Sequence, residues 1–319
     1  MGVLKNLKYF SLNNFRLLIN IFNSRRPRRG PLPLAIFCLA CFTSAPCFAF
    51  AAPIPQQSEN HSPAAQPPPE AGEQQTISAE ALFAAMLVNA ENGQPEAMLT
   101  VGTLYEQGVG IPRNFTKAFE WYLKAANAGQ REAWMRLGVC YEIGIGATAD
   151  MDKALEAYAK SASSDFAPAQ YKLADLYLKG RGVPKDESLG YDFLSKAAEG
   201  GELAAMFDMG QVLLSGLFGR EAEPENARVW FTKAAEAGHA ASILSLAAML
   251  KDGVGGKADP EGALRWFLIG QKGGMSGEPL DAVIKELQDK LSSSKALDAE
   301  NAADAWVAAR TKALERQRQ

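Results

Sequence analysis

Residues 96–130 read EAMLTVGTLYEQGVGIPRNFTKAFEWYLKAANAGQ, and the same pattern returns four more times along the chain. A small residue stands at Gly102, Gly138, Ala174, Gly210 and Ala247, separated by steps of 36, 36, 36 and 37 residues. A loop glycine follows six residues later each time, at Gly108, Gly144, Gly180, Gly216 and Gly253. A third small residue keeps the step at Ala118, Ala154, Gly190, Ala227 and Ala263. A fixed period in this range is the signature of a stacked solenoid. Each unit is too small to bury its apolar face alone, so neighbours stack into one continuous core. Solenoids commonly work as binding surfaces, which lowers the expectation of an enzyme.

Within the first unit, Ala97, Val101, Leu104 and Tyr105 recur at helical spacing and share one face. Gly108 ends this helix, and Gly108 and Gly110 permit backbone angles that a side chain opposes. A second helix opens behind Asn114, and Asp150, Asp186 and Asp259 hold the same place in other units. Such side chains accept hydrogen bonds from the free amides of a helix start. Pro260 follows at the first helical position, where its missing amide costs nothing. The fourth unit has Glu223 before Pro224 and carries a one-residue insertion, so its loop near Gly219 is expected to be the least regular.

The second helix presents Ala118, Trp121, Tyr122 and Ala125, echoed by Tyr158, Phe193, Trp230, Phe231, Trp266 and Phe267. Paired alanines follow at 125–126, 197–198 and 234–235. Small residues let helices approach while a neighbouring aromatic fills the gap. The aromatics are therefore expected in the core, with a sugar-stacking platform as the alternative. Leu82, Met86, Ala90 and Gly93 sit one period before Ala118, Tyr122, Ala126 and Gly129, which makes residues 77–93 an N-terminal capping helix. Five repeats then fill residues 94–274. Beyond Gly274 the period fails, and residues 275–319 are expected to form two capping helices, about Pro279–Leu291 and Asp298–Leu314.

The N-terminus differs in composition. Residues 1–51 hold seven basic residues and no acidic one, with Arg25, Arg26, Arg28 and Arg29 just before an apolar run. Ala49 and Ala51 complete a small-x-small pattern, so residues 1–51 read as a signal peptide cleaved after Ala51. An uncleaved anchor in the inner membrane is the alternative, because the run is nearly long enough to span a bilayer. Cys38, Cys41 and Cys47 lack the leucine-plus-small-residue context of lipid attachment. Residues 52–76, rich in Pro, Gln, Ser and Glu, show no apolar periodicity and read as a disordered linker. Without residues 1–51 the chain keeps 26 basic and 36 acidic residues, a formal charge of −10. A body this acidic repels nucleic acid and anionic lipid, so no nucleic-acid partner is expected and membrane contact is confined to the N-terminal segment. Cys140 is then the only cysteine, which excludes an internal disulfide, and its alignment with Leu104, Leu176, Val212 and Met249 predicts a buried thiol.

The motifs now accumulated are specific. Leu137-Gly138, Tyr141, Gly144 and Asp150-Met151-Asp152-Lys153-Ala154 in one unit, and Leu173, Tyr177, Gly180, Arg181-Gly182-Val183-Pro184 and Lys196-Ala197-Ala198 in the next, resemble Sel-one-like repeats. These are relatives of tetratricopeptide repeats with a longer loop. The resemblance implies an all-α fold, a right-handed α-solenoid of helix-turn-helix repeats. It also implies scaffolding of protein complexes, often in the bacterial envelope. His239, after Gly238, stands where the family often has His and is read as structural. Ile269-Gly270-Gln271 departs from the expected Lys-Ala-Ala, which suits a terminal unit. The chain lacks the cysteines of members with a disulfide in each repeat.

Catalytic signals are sparse. His61 and His239 are the only histidines, there is no Cys/His cluster, and no cofactor or metal is expected. Ser292-Ser293-Ser294-Lys295 has the Ser-x-x-Lys spacing of penicillin-recognising enzymes, where the Lys takes the Ser proton. Secreted relatives reported to bind or hydrolyse β-lactams give that match a second reason. The Ser-Asp-Asn and Lys-Thr-Gly elements are missing, and the motif falls in an expected linker. A secreted hydrolase or binder of cell-wall-type ligands is thus the alternative to a scaffold.

In a solenoid the first helices of successive repeats share an inner surface. Leu99, Met135, Tyr171, Phe207 and Leu244 point away from the Ala97–Val101–Leu104 face, and Glu106, Glu142, Leu178, Leu214 and Lys251 follow seven residues on. Tyr171, Leu178, Phe207 and Leu214 are the candidate partner-binding strip. Packing between adjacent helices is the other use of these positions. The expected protein is a non-catalytic scaffold, periplasmic or secreted, with one or more envelope proteins as partners.

Overall fold

The structure, a computed structural model, describes residues 78–316. Thirteen α-helices and no strand are found among the described residues. A lone helix, α1 (Ala79–Glu91), comes first. Five antiparallel pairs follow: α2 (Pro95–Gln107) with α3 (Phe115–Asn127), α4 (Arg131–Ile143) with α5 (Met151–Ala162), α6 (Ala167–Lys179) with α7 (Glu187–Glu199), α8 (Leu203–Ser215) with α9 (Pro224–Glu236), and α10 (Ala240–Asp252) with α11 (Pro260–Lys272). The chain closes with α12 (Glu278–Lys290) and α13 (Ser293–Arg316). Each helix packs on its chain neighbours, giving the all-α solenoid of helix-turn-helix repeats that the period predicts.

The punctuation explains the regularity. Gly108, Gly144, Gly180, Gly216 and Gly253 end the first helices in left-handed geometry, with φ of 74°, 73°, 67°, 64° and 70°. The next helix starts under a side-chain cap: Asn114, Asp150, Asp186 and Asp259 accept the amides of Lys117, Lys153, Leu189 and Gly262 at 2.9–3.1 Å. The capping residue's own amide also reaches back to the preceding helix, as Asp150 does to the Tyr141 carbonyl at 2.9 Å. The loop is thereby closed at both ends.

A second loop glycine joins one repeat to the next. A methyl built on Gly110, Gly146 or Gly255 would lie 2.1–2.2 Å from the carbonyl oxygen of Ala79, Phe115 or Pro224, at the start of the preceding second helix. Gly182 meets the Met151 side chain in the same way. In the fourth repeat this place falls to Phe218, a bulky residue at φ 57°, and a methyl built on the inserted Gly219 would meet nothing within 4 Å. Glu223 makes no side-chain cap there. The loop is held instead by the Arg220 guanidinium, 3.3 Å from the centre of the Tyr191 ring on α7.

The core is large-into-small. Tyr122, Tyr158 and Phe231 are fully buried, facing Gly102, Gly138 and Gly210 on the first helix of their own repeat. The paired alanines are buried, and so is Cys140, whose thiol burial pushes up to about 12. At the C-terminal end α13 lies on α11. Trp306 meets Trp266 edge to face with ring centres 5.8 Å apart, and Arg310 donates to the Ala237 carbonyl. Trp266 is thereby buried, whereas its equivalent Trp230 is half-buried. The final helix begins at Ser293, five residues before the expected start, because Ser292 accepts the Lys295 amide at 3.5 Å and Ala296 donates to the Ser292 carbonyl. No helix among the described residues is long and apolar enough to cross a membrane. The expected signal peptide at 1–51 and linker at 52–76 lie outside the described residues.

Candidate interaction surface

The helices α2, α4, α6, α8 and α10 form one row, and side chains link each to the next. Tyr171 on α6 donates from its hydroxyl to Asp208 Oδ2 on α8 at 2.6 Å. The Phe207 ring lies 5.7 Å from that of Phe231 and 5.2 Å from His239, at the start of α10. Leu99 and Met135 pack against the core clusters, and Leu244 is buried. The fifth residue of each first helix therefore packs inward, and Tyr171 and Phe207 among them link successive first helices.

The positions seven residues on change character along the row. Tyr122 reaches from α3 to donate to Glu106, with Thr103 at 3.5 Å, and Arg136 of the next repeat lies beside the pair. Tyr158 makes the same reach from α5 to Glu142, at 2.6 Å. Burial holds the hydroxyls of Tyr122, Tyr158 and Tyr171 well above the ordinary tyrosine range, and the neighbouring carboxylates push the same way. These phenols stay protonated and act as donors. In the third and fourth repeats the pair becomes apolar: Leu178 meets Leu194's helix at Gly190, where a methyl would lie 2.7 Å from Leu178 Cγ, and in the fourth repeat Leu214 and Phe231 hold the two places in the sequence.

Charges extend the polar half. Arg181 bridges Asp175 at 2.5 Å and Glu142 at 3.6 Å, and Lys179 also pairs with Asp175. Asp208 sits at the boundary between the polar and apolar halves. Burial pushes its carboxyl up to about 6, Asp175 adds to the rise, and the Tyr171 hydroxyl and Lys179 oppose it.

All four residues of the expected strip, Tyr171, Leu178, Phe207 and Leu214, are half-buried. The structure ties Tyr171 to Asp208 and Phe207 to the rings beside it, and leaves none of the four among the exposed large apolar residues. The sequence reading did not single out Asp208, Arg181, or the hydroxyls of Tyr122 and Tyr158. One signal was available: Tyr stands 16 residues after Glu in the first two repeats, and both disappear together in the third.

The residues considered for catalysis serve the fold. The Ser292 hydroxyl accepts the Lys295 amide as a helix cap does, and Lys295 is exposed in the first turn of α13. His239 is half-buried, bonded through Nδ1 to Ser242 Oγ at 2.9 Å, and burial lowers its pKa. A cleft of about 500 Å³ between α9, α11 and α13 is lined by Arg228, Glu236, Asp259, Arg265, Trp266 and Asp298 among others. There Asp259 caps α11 and Arg228 donates to the Lys257 carbonyl. No group of three or more metal-ligating side chains occurs among the described residues.

Comparison with known proteins matches this geometry. The Sel1 repeat pattern covers residues 95–130, 132–166, 167–202, 203–239 and 240–270. No curated protein matches the chain. Among solved structures it is similar to a Sel1 repeat protein from Oxalobacter formigenes, with 28% identity and a TM-score of 0.60 over 64% of this chain and 58% of that one. It is also similar to a protective antigen of uropathogenic Escherichia coli with an SLR fold, at 25% identity and a TM-score of 0.44 over 72% of this chain and 56% of that one. An immunity protein, Pa5087 of Pseudomonas aeruginosa, follows at 18% identity and a TM-score of 0.42, over 72% of this chain and 77% of that one. The chain thus spans less than two thirds of the length of the first two. With five matched repeats covering more than half its length, the chain belongs to the Sel1 repeat family.

Proposed function

We propose that this protein is a non-catalytic scaffold of the bacterial cell envelope, periplasmic or secreted, which binds an envelope protein along the row of first helices. One observation carries the reading. The inner positions of that row are half-buried and change in kind, from Glu106 and Glu142 through Leu178 and Leu214 to Lys251, with the exposed Arg181 beside Glu142. A partner segment lying along the row meets carboxylates at one end, apolar side chains in the middle and Lys251 at the other end, and the unlike charges at the two ends fix its direction. Tyr171 and Phe207 form the rigid floor between the halves, and Leu178 and Leu214 supply the apolar contact. The N-terminal sequence supports export, and the acidic body argues against nucleic acid as partner.

The test is crosslinking of the tagged full chain in its native cells, followed by mass spectrometry. One stoichiometric envelope protein, lost from an Arg181→Glu, Leu214→Gln variant of unchanged helicity, is the expected result. Recovery of peptidoglycan fragments alone overturns it in favour of a cell-wall ligand. Equal recovery with the variant removes the surface assignment.

A further inference from the structure

Four helices build the cleft of about 500 Å³ at the C-terminal end, a volume ordinary for a small-molecule site. Leu246 and Leu250 of α10 and Trp266 of α11 are its apolar floor, and all three are buried. Arg228 of α9 and Arg265 of α11 line it and are half-buried. α13 faces it with Ala299 and Ala302, and side chains this small leave the space unfilled.

The two guanidiniums lack an acid. Among the described residues Arg228 bonds only the Lys257 carbonyl, at 3.2 Å, and Arg265 only faces the Trp266 ring, at 5.1 Å. Arg265 Nε is buried and donates to nothing. A half-buried cation left in this way is costly until an anion completes it. The planar fork of arginine matches a carboxylate through two parallel bonds, and Nε–H is half of one such edge. The acids around the cleft stand elsewhere. Glu236 and Asp298 are exposed, at its rim, and Asp259 is engaged as the cap of α11. Among the described residues no three acids converge as a metal ion requires. Cations inside and carboxylates at the mouth repel a bare anion on its way in and suit a ligand that carries both charges. Glu236 stands eight residues along α9 from Arg228, about 12 Å. Three residues of extended chain span about 10 Å.

We propose that this cleft binds a short peptide of about three residues with both termini free, its terminal carboxylate on Arg265 and Arg228 and its ammonium at Glu236. The carboxylate accepts from Arg265 Nε–H, the donor that the fold leaves without an acceptor. Leu246, Leu250 and Trp266 lie beneath the chain of the ligand, and the space admits small side chains. The inference does not rest on the scaffold reading, and the crosslinking result leaves it untouched.

Isothermal titration of the full chain with trialanine tests it. One site per chain is expected. Trialanine amide, which lacks the carboxylate, binds about tenfold or more weakly, and so does trialanine to Arg265→Gln. The second variant is Glu236→Gln, at an exposed residue. It weakens trialanine about threefold or more and binds N-acetyl-trialanine, which has no ammonium, as the parent does. Melting followed by circular dichroism verifies that each variant is folded, and the amide and N-acetyl comparisons decide the matter on the parent alone should Arg265→Gln unfold. No binding at about 10 mM trialanine, an amide that binds as tightly as the free acid, a Glu236→Gln variant that does not tell trialanine from its N-acetyl form, or inorganic phosphate binding more tightly than trialanine overturns the inference.

Discussion

Gly138→Ala is expected to destabilise the protein although alanine is the better helix former. The added methyl would lie 2.5 Å from the Tyr158 ring, a separation that real side chains do not show. The ring has nowhere to go. It is fully buried, and its hydroxyl is held by Glu142 at 2.6 Å. Overpacking of this kind costs about 1–3 kcal/mol, and the helix-propensity gain returns about 1. The net loss is therefore up to about 2 kcal/mol. The third repeat shows the compatible alternative, since Ala174, Leu178 and Leu194 replace Gly138, Glu142 and Tyr158. Tyr158→Leu alone leaves a cavity and a carboxylate without its donor, at about 2–4 kcal/mol. Gly138→Ala, Glu142→Leu, Ala154→Gly and Tyr158→Leu together rebuild the third repeat's set, in which Leu178 needs Gly190 beside it, and are expected to lie within about 1 kcal/mol of the parent, far from the sum of the parts. Urea unfolding followed by circular dichroism measures all three variants. If Gly138→Ala matches or exceeds the parent, or the quadruple variant is worse than Tyr158→Leu, the set is not a packing unit and the reasoning is wrong.

The other predictions concern caps, loops and charge. Asp150→Ala removes the Lys153 amide's acceptor and should cost about 1 kcal/mol, while Glu223→Asp should gain about 0.5–1 by supplying the missing cap, both read from the urea midpoint. Gly146→Ala combines left-handed strain with a clash against the Phe115 carbonyl, so it should lose about 2 kcal/mol or more and loosen the first joint first, visible as faster amide exchange in α3. Asp208 titrates near 6 in the folded protein and near 3.9 unfolded, so the native state binds the proton first. Its contribution makes stability rise as pH falls from about 7 to 4, by at most about 2–3 kcal/mol, and Asp208→Asn should flatten that slope in a pH series of urea midpoints. Ser292→Ala should leave nitrocefin turnover at the parent's level, since the hydroxyl holds a helix start.

The fold was legible because its instructions are local and repeated. Gly108 or Asp150 acts on the few residues around it, and five copies make each signal hard to miss. The glycines at 110, 146 and 255 were legible as turn formers, but not as contacts with the preceding repeat, which only the stacking creates. The Tyr158–Glu142 pair was hidden because a tyrosine at a core position reads as an apolar ring, while its hydroxyl is decided by what surfaces beside it. Asp208 was hidden for the opposite reason: one acid in the apolar run around Met206 and Met209 gives no sign of its Tyr171 donor, 37 residues back. The Ser292 motif reads as linker because its serines weaken the helical pattern, whereas Ser292 begins the helix as its cap.

The joints between repeats differ in how they would carry load. Where a loop glycine seats against the backbone of the preceding repeat, tension along the array is borne by main-chain contact that no rotamer change can release. Between the third and fourth repeats, Phe218 takes the glycine's place and Arg220 rests on Tyr191, so side chains bear part of what backbone bears at Gly110, Gly146 and Gly255, with Gly182 against the Met151 side chain as the intermediate case. Pulled from its ends, this protein should yield there first, behaving as two stiff rods coupled by a compliant link rather than as one uniform spring.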